Sequence, residues 1–223
     1  MESSSTLVAM LLADGRLPTG GHAYSAGLEP AMMGGLSASE VPDFLRARAA
    51  TSSRVEAGTA VAARHAVLTG ADIRAVDVAW AARTPAPAVR EASIAQARGY
   101  LRLALRLWPA ASSLAHMRSA SWSPSRPVVV GAIAAEAGLS ADELVRVVIY
   151  DEAATAAGAL LKLDPRDPAE ATTWILGTCE YAEPQVAGLA AITDPAGIPG
   201  AGTPQSEEWA QRHSRATHRL FRA

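Results

Sequence analysis

Ser140-Ala141-Asp142-Glu143-Leu144-Val145-Arg146-Val147-Val148-Ile149-Tyr150-Asp151-Glu152-Ala153-Ala154-Thr155-Ala156-Ala157-Gly158-Ala159-Leu160-Leu161-Lys162-Leu163 is the stretch whose reading decides the architecture. Ser140 and Glu143 have capping-box spacing: a hydroxyl for the amide three residues on, and a carboxylate reaching back. They predict the start of a helix that runs to about Leu163. Its apolar residues lie on most sides, so the helix is central or interfacial. Tyr150, Asp151 and Glu152 interrupt it. Unpaired buried charge is costly, which leaves two readings for this triad: a solvated patch, or polar positions facing a partner or an internal passage.

The same physics extends outward in both directions. Val128-Val129-Val130 is β-like in isolation, but Gly131 to Ala135 continues it as a helix, and Gly138 suits its left-handed end. Ser121 to Pro127 reads as a loop and Ala111 to Ala120 as a short helix. Pro87 suits a first helical turn and opens a long helix to Trp108. Arg90, Arg98, Arg102 and Arg106 recur on that helix at multiples of four residues, either as a solvated face or as a contact for an acidic partner. Ser37 and Glu40 form a second capping box, with a helix to about Ser52. Helices follow over Val55 to Leu68 and from Asp72 to before Pro85. Downstream, Asp167 and Pro168 start a helix that reaches Ala182, breaks at Pro184 and resumes over Val186 to Ile192. Glu207 to His213 closes the series. The prediction is an all-α, single-domain bundle of about ten helices over residues 1–223.

Composition agrees. Apolar residues make up 49% of the chain, alanine dominates them, and aromatics are only 5%. That suits close-packed helices with thin side chains. A net charge of -2 leaves no basic excess for phosphates, so no nucleic-acid partner is expected. A lone Cys179 cannot form an internal disulfide and fits a reducing compartment. Residues 1–5 lack the positive charge of a secretory leader. No apolar run reaches the length of a membrane span. The expectation is a soluble, cytoplasmic protein that does not enter a membrane.

Catalytic patterns are missing from the sequence. Gly15 to Gly20 has a phosphate-loop glycine gap but is followed by Gly21 instead of lysine. There is no Gly-x-Ser-x-Gly elbow. Cys179 has no basic sequence neighbour to activate it and reads as a structural thiol. His65 and His116 stand alone. His213 and His218 lie five apart without a cysteine partner, so no stable metal site is expected. The reading is therefore a non-enzyme. The alternative is a helical ligand-binding regulator or small helical enzyme with a pocket around Tyr150-Asp151-Glu152.

The two ends are less generic. In Leu17 to Glu29, Pro18 fixes a torsion and Gly20 and Gly21 permit a sharp turn. Tyr24, Gly27 and Leu28 then fall at helical spacing. They predict a helix from about Ala23 to Met33, kinked or ended near Leu28 by Pro30, with Gly27 admitting a neighbouring backbone. At the other end, Arg219-Leu220-Phe221-Arg222 sets apolar bulk among arginines. Such a segment can dock through an aromatic anchor and guanidinium hydrogen bonds, or it can hang free.

Together these ends resemble the urease accessory protein UreF family, which carries a similar proline, paired small residues, an aromatic-Ser pair and Gly-Leu-Glu at the same spacing, and an Arg-Leu-Phe-Arg-like tail. The chain departs from the family's pattern at His22 and at Arg166-Asp167-Pro168. The resemblance implies an all-helical, dimeric, non-catalytic protein that joins an accessory protein called UreD or UreH and recruits the GTPase UreG. That assembly delivers nickel to apo-urease while UreF regulates the GTPase; nickel is handled by the complex and no cofactor is held stably. It further implies partner contacts at Tyr24, Glu29, Arg219, Leu220, Phe221 and Arg222, shaping roles for Gly20, Gly21 and Gly27, and a partner-docking tail over residues 214–223.

Overall fold

Local signals set most helix boundaries in the computed structural model, which describes residues 5–221. The helices are α1 (Ser5–Leu12), α2 (Leu28–Met33), α3 (Val41–Ala50), α4 (Ser52–Thr69), α5 (Ile73–Ala82), α6 (Pro87–Leu107), α7 (Ser112–Ser119), α8 (Arg126–Glu136), α9 (Ala141–Leu163), α10 (Pro168–Ala182), α11 (Val186–Ala190) and α12 (Pro204–His213). The fold is all-α. The box at Ser140 closes as its spacing requires: Glu143 N donates to Ser140 Oγ at 3.2 Å and Ser140 N to Glu143 Oε2 at 2.8 Å. Ser37 N likewise donates to Glu40 Oε2 at 2.8 Å, opening a 3₁₀ turn that leads into α3. Asp72 and Asp167 accept from Arg74 N and Ala169 N, each at 2.9 Å. Each such cap stabilises its helix by about 1 kcal/mol.

The centre is the packing of α4, α8 and α9. Ala57, Ala60 and Ala63 of α4 meet Val128, Val129 and Ala132 of α8, and Leu144 and Val145 of α9 lie beside them, all fully buried. Thin side chains let these helices approach closely, and each buried Leu or Val contributes about 1.5–3 kcal/mol by leaving water. Helices α5, α6 and α7 cover α8, and α11 covers α4 and α9. A second apolar cluster joins α2 and α3 to the far end of α9: Leu28, Ala31, Val41, Phe44, Leu45, Ala156 and Leu160. No described helix is long and apolar enough to cross a membrane.

Two expectations fail here. The helix expected over Ala23 to Met33 does not form: Tyr24 is extended, with φ −125° and ψ 136°, and α2 begins only at Leu28. Pro30 is then the third residue of α2. A first-turn proline gives up no intrahelical bond, so it neither kinks nor ends the helix. The expected loop Ser121–Pro127 also ends early, because Arg126 is already the first residue of α8.

Candidate functional site

The turn after α1 is built from conformations that ordinary residues avoid. Gly20 has φ +88° and precedes a 3₁₀ turn over Gly21–Ala23. Ala26 and Gly27 follow with φ +48° and +79°. Ala26 is a non-glycine residue in the left-handed region and is wholly buried, so its surroundings hold it there at a cost of about 1–3 kcal/mol. Gly27 is required for its torsion. The close backbone approach expected of it occurs instead at Gly99 of α6, where a Cβ would lie 2.6 Å from Thr19 Cα. Gly21 has no positive φ; a Cβ there would meet only Thr19 Oγ1 at 3.8 Å.

This irregular path delivers Glu29, buried to 5% exposure, to the first turn of α2. Its Oε1 accepts Leu220 N at 2.6 Å, and its Oε2 accepts Phe221 N at 2.8 Å. His213 Nε2 lies 2.9 Å from Oε2. One carboxylate therefore ties the chain's tail to a turn some 191 residues earlier in sequence. Phe221 is buried in the α2–α3–α9 cluster. The Lys162 ammonium stands 5.2 Å from the Phe221 ring centroid and donates to His22 O at 3.3 Å, a cation–π contact that adds to the clamp. The residues expected to touch partners thus divide. Glu29 and Phe221 are buried, Tyr24 is partly buried, and Arg219 and Leu220 are exposed. Arg222 lies outside the described residues.

Beneath the turn lies a buried ion cluster. Arg126 enters from the N-terminus of α8. Its Nη1 donates to Asp151 Oδ2 at 2.9 Å, and its Nη2 reaches Glu56 Oε2 at 3.1 Å and the Glu152 carboxylate. Arg48 of α3 takes the other Glu152 oxygen, and the Trp80 indole donates to Glu56 Oε1 at 2.7 Å. Three carboxylates thus share two guanidinium groups. Burial pushes Glu56 up and Asp151 up to about 6, with Arg126 opposing the rise. For Glu152, burial acts upward, but Arg126 and Arg48 outweigh it and hold the carboxyl below its ordinary value. The reading of Tyr150-Asp151-Glu152 as a solvated patch is therefore overturned: only Tyr150 is exposed, and the two carboxylates face the interior.

Tyr24 borders three hollows, two of which reach the ion cluster. One is a cavity of about 70 Å³ lined by Arg48, Ser52, Glu56, Arg126 and Glu152. The other is an open cleft of about 410 Å³ lined by His22, Tyr100, Tyr150, Asp151, Lys162 and Phe221. Ser52 Oγ and Arg48 Nε are buried without a partner among the described residues. No three His, Cys, Asp or Glu side chains converge as a ligand set among the described residues. Cys179 is half-buried and its thiol is pushed up by burial, the opposite of an activated nucleophile. Carboxylates committed to arginines in this way help to hold a shape.

Arg48, Glu56 and Arg126 were not singled out in the sequence, and His213 was weighed only as a metal ligand. Only Arg126 left a local trace, as a lone cation entering the apolar run Val128 to Ala135.

The UreF family profile matches residues 36–178. The urease accessory protein UreF of Mycobacterium sp. (strain JLS) is 40% identical over 226 residues, covering 99% of each chain. That of Mycolicibacterium vanbaalenii is 37% identical over 86% of this chain and 91% of its own, and that of Mycobacterium marinum is 40% identical over 85% and 90%. The chain belongs to the UreF family. It is an accessory protein of urease maturation and not an enzyme, and its family implies association with other maturation proteins.

Proposed function

We propose that this chain acts in the cytoplasm as the UreF component of a nickel-insertion assembly. It forms a homodimer, joins a UreD/UreH-type protein and a UreG-type GTPase, regulates the GTPase and so supports delivery of nickel to apo-urease. Nickel is cargo of the assembly. The observation that carries this reading is the match to urease accessory proteins along nearly the whole chain. The tail supports it. Arg219 and Leu220 face outward on a segment pinned by Glu29 and Phe221, and a pinned segment binds with less ordering cost than a free one. Residues 214–223 are the docking tail; Arg219, Leu220 and Arg222 make the contact, while Tyr24, Glu29 and Phe221 present it.

Co-purification of the full chain with UreD- and UreG-type partners, followed by urease activation with nickel, tests this. The expected result is a stable complex that raises urease activity, and loss of both when Arg219 to Ala223 is removed. Intact complex formation and activation by the truncated chain would refute the tail's role. Absence of any complex with the full chain would refute the reading itself.

A further inference from the structure

From Ala92 to Ala135 the chain contains five arginines and no aspartate or glutamate, although its overall charge is -2. Arg126 turns inward to the ion cluster. The other four, Arg98, Arg102 and Arg106 on α6 and Arg118 on α7, are exposed, and none has a carboxylate partner among the described residues. Elsewhere the exposed arginines divide. Arg16 pairs with Asp14, Arg46 with Asp43, Arg146 with Glu183 and Arg212 with Glu208, while Arg74, Arg215 and Arg219 have no carboxylate partner among the described residues. What sets the α6–α7 group apart is that no acidic residue interrupts it from Ala92 to Ala135.

Three of these arginines rim a groove. Between α6, α7 and the loop before α8 lies a hollow of about 370 Å³, with Arg98, Arg102 and Arg118 at its edges. Between the arginines the walls carry apolar side chains, Ala97, Leu101, Met117, Trp122 and Pro124, with Ser123 beside them. Arg102 is steadied by donating to Pro18 O at 3.1 Å, so the rim is partly ordered before anything binds. An apolar trough with a cationic rim matches an amphipathic segment that carries one bulky apolar anchor flanked by carboxylates. Charge complementarity sets orientation and encounter, and the anchor supplies burial.

We propose that this groove docks a carboxylate-bearing helical segment of another protein. Nucleic acid fits less well, because a concave apolar floor offers nothing to a phosphate backbone, and a chain of net negative charge gains little by counterion release. The proposal does not depend on which maturation proteins the chain meets.

The test uses the full chain and a synthetic amphipathic helix of about 18 residues. The peptide has leucines on one face, glutamates beside them, a fluorophore and a photo-crosslinking leucine. The glutamate peptide is expected to bind, with affinity falling as salt rises, and its glutamine analogue to bind at least about tenfold more weakly. Arg98→Glu/Arg118→Glu should abolish that preference, while the charge-matched control Arg46→Glu/Arg146→Glu should leave it. Crosslinks should fall on residues 97–102 and 117–124. Failure of the glutamate peptide to bind, equal binding of the glutamine analogue, equal loss in the control variant, or crosslinks elsewhere would each overturn the proposal. So would displacement of the peptide by oligo(U) RNA or by phosphatidylserine vesicles that bind the same arginines more tightly.

Discussion

Glu29 and Glu152 are both buried carboxylates, but they are held by different kinds of partner. Glu152 sits mid-helix and is gripped by Arg126 and Arg48, side chains from two other helices of the bundle. Glu29 sits at a helix start and is satisfied by two backbone amides of the tail and a histidine of α12. Breaking the first unbalances a core that cannot reach water. Breaking the second frees a short segment that can rehydrate at once. The same chemistry thus serves as architecture in one place and as a fastening in the other.

The largest effect should come from Arg126→Ala. It strands Glu56, Asp151 and Glu152 together, and breaking one side of a buried ion pair costs about 3–5 kcal/mol. Urea denaturation should show that loss across the whole bundle, in a single cooperative transition. Glu29→Ala should cost less, about 2 kcal/mol, since it removes bonds to a charged acceptor whose donors regain water. Its signature is local: amide hydrogen exchange at Leu220 and Phe221 should rise far more than exchange in α8 or α9. A global loss as large as that of Arg126→Ala would erase the distinction drawn here.

Asp151 sharpens it further through pH. Its carboxyl, raised from 3.8 to about 6 in the fold, binds a proton more tightly folded than unfolded. Its contribution is therefore fully present below about pH 4 and is lost as pH rises through 6. Asp151→Asn removes that loss. The melting temperature of the variant relative to the natural chain should rise between pH 4 and pH 7, by an equivalent of up to about 3 kcal/mol, and level off above. Ser140→Ala should be the mildest, near 1 kcal/mol, because its hydroxyl serves only the local box, where it helps hold the Glu143 carboxyl below its ordinary value.

The sequence carried helix boundaries wherever the cause lay within a few residues. Ser37, Asp72, Ser140, Asp167 and Pro87 announce their roles by short spacing, and so the helical order was legible. Misreadings arose where spacing coincided with a pattern it did not obey. Tyr24, Gly27 and Leu28 have helical intervals, but the torsions of Ala26 and Gly27 interrupt them. Arg126 belonged to an apparent loop because its partners lie on α4 and α9, and no local rule pairs a cation with carboxylates on distant helices. The two ends were recognised separately by resemblance. That Glu29 joins them was invisible, because a backbone amide leaves no letter in the sequence.

The indole of Trp80 is buried and donates to the carboxylate of Glu56, which Arg126 also holds. An indole's emission colour responds to the field of a nearby charge. With the other four tryptophans replaced by phenylalanine, the chain would carry its own optical gauge of how many protons the interior holds, readable without label or added dye.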